Sequence, residues 1–495
     1  MNTSELISYF KVKQVIGTLP KEITNIHSDS RDVEPGSMFI CTKGYTVDGH
    51  DFYQEAIAKG ASVIISEKHL DVTPDHTALV IVNDTFKATA HISNKFYQYP
   101  SSKTDVIGVT GTNGKTTVAS LIYSLLRKAG EKAALSGTTG LEINGDTYAS
   151  DNTTCDILTN QKLLDQAVRS NITSTVMEVS SHGLSQGRLW GIEFDVVAFT
   201  NLSQDHLDYH DSMDQYGYVK GLLFAQLGQD LMKEKYIVLN QDDPWYKVYN
   251  YWSPYEVISY GLRTEANFKA EKVEYFPDKT RFLLLSPEGE FLVETKLLGE
   301  FNVYNILTAF AALFAKGFKV QQLVENLKEV SPINGRMEKV DIDAPVSCYI
   351  DYAHTPDAIE KSIRTVLPFK ENRLIFLIGT GGDRDQSKRP LMAEKASAAD
   401  YVILTINDPR YEDSNQILKD MEKGMTHDQY VCIADRNEAI AYAIEVSEPG
   451  DIIIFAGKGQ EDYQIIENKK VPHSDLAMVI QQCQKKYDSN KLKNI

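Results

Sequence analysis

At 495 residues the chain exceeds what one hydrophobic core usually spans, so two to four domains are expected and three are adopted here. A content of 42% hydrophobic and 24% charged residues is that of an ordinary globular protein and excludes a disordered, collagenous or coiled-coil architecture. The formal charge of −17 argues against broad binding to nucleic acid or anionic membrane, both of which need a basic surface.

No run approaches the roughly 18 uncharged apolar residues that cross a bilayer. Met1–Phe10 carries Glu5 and has neither a basic leader nor an apolar segment, so a cytoplasmic location without membrane insertion is expected. Five widely spaced cysteines (Cys41, Cys155, Cys348, Cys432 and Cys483) show no metal-ligand spacing and read as free thiols, mostly packed as small hydrophobes.

In chain order, strand-like runs at Ser37–Cys41 and Ala61–Ser66 and a helical pattern near Phe52–Lys59 predict a small α/β domain over residues 1–102. An apolar strand at Asp105–Val109 opens a second domain, 103–332. Its further strands at Ser174–Val179, Asp195–Thr200 and Tyr236–Asn240 alternate with helical stretches, as a parallel sheet requires. Pro332–Arg336 reads as a turn-like link. A third α/β domain, 333–495, follows with strands at Ser347–Asp351, Leu374–Gly379, Tyr401–Ile406 and Asp451–Ala456 and crossover helices at Pro390–Ala399 and Glu438–Val446. The Lys-rich tail Gln481–Ile495 reads as a fraying helix end.

The strand Asp105–Val109 leads into Gly111, Thr112, Asn113, Gly114, Lys115, Thr116 and Thr117 and then a helical run. Glycines let backbone amides approach phosphate oxygens, the helix start adds positive potential, Lys115 reaches terminal phosphates and Thr116 can bind Mg²⁺. The strict phosphate-loop pattern wants glycine at position 109, where this chain has Val109, with Gly108 and Gly111 on either side. No guanine-reading Asn-Lys-x-Asp is found, which lowers a GTPase reading. Downstream, Glu178 ends one predicted strand and His206 follows another, positions from which a carboxylate and an imidazole could hold magnesium against ATP.

Taken together, Gly111–Thr116, Glu178–Gly183, Asn201–His210, Gly299–Asn305, Asn334–Arg336 and Asp351–Pro356 resemble the Mur ligases in order, over essentially the whole chain. Asp29–Arg31, Gly381–Asp385 and Gly457–Glu461 resemble the UDP-N-acetylmuramoyl-tripeptide synthetase (MurE) branch. The resemblance implies a three-domain α/β fold with a central phosphate-loop parallel sheet and a Rossmann-like C-terminal domain. It also implies a reaction: ATP phosphorylates the carboxylate of UDP-N-acetylmuramoyl-L-Ala-D-Glu, and the amine of a diamino acid then attacks the acyl phosphate, in peptidoglycan precursor synthesis.

By that resemblance Lys115, Glu178, His206 and Lys220 are catalytic, with Thr116, Glu178, His206 and Lys220, carbamylated by CO₂, holding Mg²⁺. Without it, Lys220 reads as a solvated charge on a helix face. Asn302 and Asn305 are placed near adenine, and Arg336, Asp351 and His354 are placed over the nucleotide from the link and third domain, suggesting a hinge at about residues 330–336. Ser30, Tyr45, Thr46, Asn152, Thr153, Thr154, Ser180, Gln186 and Arg188 match positions that bind the UDP-muramyl dipeptide.

Arg384, Asn407, Asp408, Arg410, Gly457 and Glu461 match positions that read the incoming amino acid. Enzymes of the branch that add meso-diaminopimelate usually show Asp-Asn-Pro-Arg, the arginine gripping the distal carboxylate. This chain has Asn407-Asp-Pro-Arg410, with the first two residues exchanged and the arginine kept; Gln460 replaces a usual histidine. Meso-diaminopimelate is favoured, L-lysine is next and another amino acid is open. Folylpolyglutamate synthetase shares the ATP core, and a non-catalytic UDP-muramyl-peptide sensor is the rival from another class. A monomer is expected.

Overall fold

The computed structural model describes residues 1–44, 47–72, 76–143, 145–148 and 152–488. Packing divides the chain into two compact units: residues 1–108, 130–197 and 232–235 form the first, and 109–129, 198–231 and 236–495 the second. The strands Asp105–Thr110 and Val196–Phe199 each carry the chain from the first unit into the second.

In the first unit a five-stranded sheet has the order Lys13–Ile16, Ala78–Val82, Val63–Ser66, Met38–Ile40, Ile26–His27, parallel except for its first pair. Successive residues of a strand face opposite sides. Accordingly Met38, Ile40, Val63 and Ile65 enter one core while Phe39, Ile64 and Leu79 enter another. Burial on both faces is what makes such strands read as continuous apolar runs. In the same unit Ser174–Glu178 pairs in parallel with Ala133–Gly137, which continues antiparallel through Gly140–Ile143 to Asp146–Tyr148.

In the second unit Tyr236–Asn240, Glu256–Gly261 and Phe268–Tyr275 pair in parallel, and Thr280–Ser286 and Gly289–Thr295 then extend the sheet antiparallel. This antiparallel extension was not among the expected elements. Its strands mix buried with half-exposed or exposed residues, so Arg281, Glu290 and Glu294 leave only the short apolar runs Phe282–Leu285 and Phe291–Val293.

The last sheet, also in the second unit, has the order Glu338–Lys339, Ser347–Asp351, Ile452–Ala456, Leu374–Thr380, Tyr401–Ile406, Tyr430–Cys432. All pairs but the first are parallel. Expected strands in this sheet agree with the observed ones to within a residue. The helix expected at Pro390–Ala399 spans Lys388–Ala396, its Pro390 lying in the first turn, where a missing N–H leaves no bond unmade.

As far as residue 488 the tail differs from the expected fraying end, and residues 489–495 lie outside the described residues. Helix Asp475–Cys483 passes into a π-helical turn, Gln484–Asp488, and Lys486 Nζ donates to the Ile444 and Ser447 carbonyls, docking the chain through Tyr487. Cys41, Cys155, Cys348 and Cys483 are buried free thiols and Cys432 is half-buried, as their spacing suggested. Among the described residues no helix is long and apolar enough to cross a membrane.

Candidate active site

Helix Lys115–Lys128 begins directly after the glycine loop. Gly111 and Gly114 have φ of 150° and 89°, and a Cβ would collide with Thr200 Oγ1 at the first and with the Asn305 carboxamide at the second, so both places demand glycine. Asn201 braces the loop from the neighbouring strand end. Its carbonyl accepts the Thr112 N–H at 2.7 Å, its Oδ1 accepts the Asn113 N–H at 3.1 Å, and its Nδ2 donates to the Asn113 carbonyl at 3.0 Å. Lys115 Nζ folds back onto the Gly111 and Thr112 carbonyls at 3.0 and 2.9 Å.

Lys220, on helix Met213–Ala225, is 1% exposed, which overturns its reading as a solvated charge. Its Nζ donates to the Gly111 carbonyl at 2.7 Å and lies 4.6 Å from the Tyr216 ring centroid. Burial, then the charge of Lys115, pushes its pKa well below that of an ordinary lysine. A neutral buried amine is the form that can react with CO₂, so the site fits carbamylation chemically.

His206 sits at φ 56° with Nε2 3.4 Å from Asp205 Oδ2. Asp205 is buried; burial raises its pKa, but His354, His206 and Lys388 together hold it well below the usual carboxylate range. Lys388 Nζ is 3.3 Å from its Oδ1 and His354 Nε2 is 3.8 Å from its Oδ2. Among the described residues no three His, Cys, Asp or Glu side chains converge on a metal-sized space. The hydroxyl of Thr116, the imidazole of His206 and an anionic carbamate on Lys220 are nevertheless a donor set suited to magnesium beside phosphate.

A cleft of about 460 Å³ opens beside the loop, a size suited to a nucleotide. Asn113, Gly114, Thr117, Asn305, Arg336, Asp351 and His354 line it. Asn302 stands behind: its Nδ2 donates to the Leu298 carbonyl at 2.8 Å and its Oδ1 accepts Asn305 Nδ2 at 3.0 Å, fixing the side chain that does line the cleft. Asp351 is turned inward. It accepts from Ser362 Oγ and from the Met337 and Tyr352 N–H groups, and burial pushes its pKa up. Arg336 donates to Thr116 Oγ1 at 3.2 Å.

Asp242, Arg263 and Tyr304 also line the cleft and were not foreseen. Asp242 accepts from the N–H groups of Leu262, Arg263 and Thr264 and from Tyr304 Oη, shaping that wall. The available signal was a pair of carboxylates, Asp242 and Asp243, just past the strand Tyr236–Asn240.

In the first unit, Thr154 Oγ1 donates to the Glu178 carbonyl and accepts from the Ser180 N–H, both at 2.9 Å. Ser180 Oγ caps helix Ser181–Ser185 by accepting the Gly183 N–H at 3.0 Å. Arg188 donates to the Thr154 carbonyl at 2.8 Å and to Gln186 Oε1 at 2.9 and 2.7 Å. Thr154, Ser180, Gln186 and Arg188 are thus gathered in one cluster around the end of the Glu178 strand. The Glu178 carboxylate accepts from the Thr138 N–H at 2.9 Å and from Thr138 Oγ1, which also meets Thr153 Oγ1. Asn152 immediately precedes this cluster in sequence. Ser30 belongs to the N-terminal sheet layer, where its hydroxyl donates to Glu55 at 3.0 Å. Tyr45 and Thr46 lie outside the described residues.

The candidate amino-acid residues follow the carboxyl ends of adjacent parallel strands, the edge where α/β sheets bind ligands. Leu374–Thr380 runs into Gly381–Arg384, Tyr401–Ile406 into Asn407–Arg410, and Ile452–Ala456 into Gly457–Glu461. Arg410 is held at φ 51°; its N–H donates to the Ile465 carbonyl at 3.1 Å, and its guanidinium donates to the Gly382 carbonyl at 2.9 Å. Burial, then the neighbouring Arg384, pushes its pKa down. Half-buried Arg410 thus has the exposed Arg384 as a neighbouring like charge, with Asp408, Asp383 and Glu461 pulling the other way.

Asn407 is engaged inside the protein at both ends of its amide: Oδ1 accepts from Arg436 at 2.7 Å and Nδ2 donates to the Gly379 carbonyl at 3.1 Å. Asp408 Oδ1 meets Lys458 Nζ at 3.0 Å and the Ile465 N–H at 2.9 Å. Lys458, fully buried, also pairs with Glu461 at 2.5 Å, and Tyr352 Oη donates to Glu461 at 3.1 Å. Lys458 and Tyr352 sit inside two motifs already singled out, yet only their neighbours were assigned roles.

Three family models match this chain: Mur ligase family, catalytic domain, over residues 22–97; Mur ligase middle domain over 109–313; and Mur ligase, glutamate ligase domain, over 335–459. It is 52% identical to the UDP-N-acetylmuramyl-tripeptide synthetase 2 of Oceanobacillus iheyensis, covering 97% of this chain and 98% of that one.

The chain belongs to the Mur ligase family.

Within the family it lies on the UDP-N-acetylmuramoyl-tripeptide synthetase branch. It is 45% identical to a UDP-N-acetylmuramoyl-L-alanyl-D-glutamate–2,6-diaminopimelate ligase of Geobacillus thermodenitrificans (92% of this chain, 94% of that one). It is 43% identical to the corresponding L-lysine ligase of Staphylococcus haemolyticus (98% and 99%). A solved 2,6-diaminopimelate ligase superposes with a TM-score of 0.66 at 33% identity, covering 94% of this chain and 96% of that one. The Mur ligase is an ATP-dependent synthetase that adds a diamino acid to UDP-N-acetylmuramoyl-L-Ala-D-Glu, and its fold is the three-domain α/β fold of the family.

Proposed function

We propose that the diamino acid is meso-diaminopimelate and that the residues above divide the work by domain, with boundaries at 102/103 and 332/333. ATP lies in the cleft beside Gly111–Thr117, with Asn305 on the base side and Arg336 and His354 closing over the phosphates. The UDP-muramyl dipeptide is read by Ser30, Tyr45, Thr46, Asn152–Thr154, Ser180, Gln186 and Arg188. Lys115 turns from the loop carbonyls to the transferring phosphate and offsets the charge that builds on its oxygens. Phosphorylation gives the D-Glu carboxylate a leaving group, and the amine of the incoming amino acid displaces it.

Thr116, His206 and carbamylated Lys220, all in the second unit, would hold magnesium, which when bound neutralises phosphate charge. Lys220 is suited to this by its burial: as a free cation it would repel the metal, and as a carbamate it presents oxygens beside the loop.

The observation that supports the substrate assignment is the half-buried Arg410, pinned in a left-handed backbone conformation beside Arg384, where burial and Arg384 lower its pKa against the opposing pull of Asp408, Asp383 and Glu461. A distal carboxylate would give this guanidinium a direct bidentate partner. Diaminopimelate has that group and lysine does not. Lysine is the second reading, favoured by the carboxylates of Asp408 and Glu461 at the same strand ends, but Lys458 already lies between them.

Removing the guanidinium in Arg410→Ala is expected to raise the KM for diaminopimelate by about 10- to 100-fold, the worth of a charged hydrogen-bond pair, with a much smaller effect on lysine. Steady-state kinetics with both amino acids checks this, and equal effects on the two would contradict the clamp.

A further inference from the structure

A continuous series of side-chain contacts runs from the phosphate loop to the strand ends that carry Arg410. Arg336 donates to Thr116 Oγ1 at 3.2 Å. Its guanidinium carbon lies 4.3 Å from the centroid of the Tyr352 ring. Tyr352 Oη donates to Glu461 Oε1 at 3.1 Å, and the other oxygen of Glu461 meets Lys458, which in turn meets Asp408. Every member belongs to the second unit. Tyr352 is the one residue in the series that faces both ways, with its ring face under a cation at the nucleotide cleft and its hydroxyl on a carboxylate at the amino-acid loops.

We propose that Tyr352 is a positioning residue that couples the two substrate sites, so that nucleotide bound in the loop strengthens binding of the diamino acid at Glu461. This rests on the reading above, in which Arg336 serves ATP and Glu461 serves the amino acid. The physical basis is competition for one guanidinium. A phosphate in the loop offers Arg336 a stronger, bidentate partner than the Thr116 hydroxyl. A guanidinium stacked on a ring cannot shift without changing where the ring is most stable. The ring carries the phenol, and the phenol sets one of the two contacts that orient Glu461. Lys458 holds the other oxygen still, so the carboxylate pivots rather than leaves. Coupling of this kind is reciprocal: the amino acid must strengthen nucleotide binding by the same factor.

Tyr352→Phe separates the two halves, because it keeps the ring under Arg336 and removes only the hydroxyl. Tyr352→Leu removes both. Calorimetric titration of the full-length enzyme with meso-diaminopimelate, and in parallel with L-lysine, is made with and without the β,γ-imido analogue of ATP and Mg²⁺.

For the wild type the analogue is expected to tighten amino-acid binding by about 10-fold, within the range usual for coupled sites. In Tyr352→Phe the factor falls below about twofold, while affinity for the analogue alone stays within about twofold of wild type. In steady state the variant raises the KM for the amino acid and leaves that for ATP unchanged; Tyr352→Leu raises both. Absence of coupling in the wild type, or wild-type coupling in Tyr352→Phe, overturns the proposal. Glu461→Gln guards the premise. If it leaves amino-acid affinity unchanged, the site assignment itself has failed. If it weakens that affinity while Tyr352→Phe keeps full coupling, only the role of Tyr352 has failed.

Discussion

Lys220 shows most plainly how one side chain's meaning depends on what covers it. The sequence around it, Tyr216-Gly-Tyr-Val-Lys-Gly221, reads as a solvated helix face because a lysine on a helix usually is one. In the fold it is fully enclosed, with its amine on the Gly111 carbonyl and over the Tyr216 ring. Nothing in the local pattern announces that burial; the resemblance to a family gave Lys220 a metal role and left its burial for the fold to show. Burial shifts this amine towards its neutral form, from which a carbamate can form, so Lys220→Ala should lower turnover by 100-fold or more, about 3 kcal/mol of lost transition-state stabilisation. Added formate or acetate should restore part of it by supplying a carboxylate to the vacated space. Full activity in the alanine variant, measured as phosphate release, would remove Lys220 from the metal site. Glu178 and Thr154 behave differently: their motif was visible in sequence, and the structure adds that Thr154 binds the Glu178 carbonyl while Thr138 holds its carboxylate.

At the scale of elements, the parallel strands that lead into the site were legible, whereas Ala78–Val82, Ala133–Gly137, Glu256–Gly261 and the antiparallel extension were not among the expected elements. Leu374–Thr380 and Tyr401–Ile406 are buried almost end to end, with their apolar side chains divided between cores on both faces, whereas Thr280–Ser286 and Gly289–Thr295 mix buried with exposed or half-exposed positions and carry Arg281, Glu290 and Glu294. The docked tail escaped notice for a related reason. Its anchor is polar: Arg436, fully buried, donates to Asp475 Oδ1 at 2.8 Å and to Ala456 O at 3.0 Å, joining the helix Asp475–Cys483 to the strand ends.

Burial alone would raise the Asp475 pKa, but Arg436, with His473, depresses it well below the carboxylate range. A carboxylate with a depressed folded pKa stabilises the fold above its unfolded pKa of about 3.9, and that stability is lost as pH falls towards the folded value. Asp475→Asn is therefore expected to destabilise the protein by about 3–5 kcal/mol near neutral pH, since it leaves Arg436 buried without its counter-charge. Calorimetric melting from pH 7 down to pH 3 should show the gap to wild type narrowing below about pH 4; a constant gap would mean the pair does not carry it.

For the whole molecule, the central fact is that one parallel sheet brings three loops to a common edge: Gly381–Arg384, Asn407–Arg410 and Gly457–Glu461. The same unit holds the phosphate loop and the cleft beside it. The order of motifs along the chain made the family legible, because loop, strand-end and link motifs recur in register. The amino acid was less legible, because the exchanged pair Asn407-Asp408 departs from the familiar pattern. Geometry sharpens that exchange. Asn407 is absorbed by Arg436 and Gly379 and Asp408 by Lys458, which leaves Arg410, beside Arg384, as the half-buried guanidinium of these loops. The most direct test supplies the purified enzyme with ATP, Mg²⁺ and UDP-N-acetylmuramoyl-L-Ala-D-Glu and measures phosphate release with each amino acid in turn. Release should depend on the amino acid and be fastest with meso-diaminopimelate. Faster release with lysine, or release indifferent to any amino acid, would contradict the account.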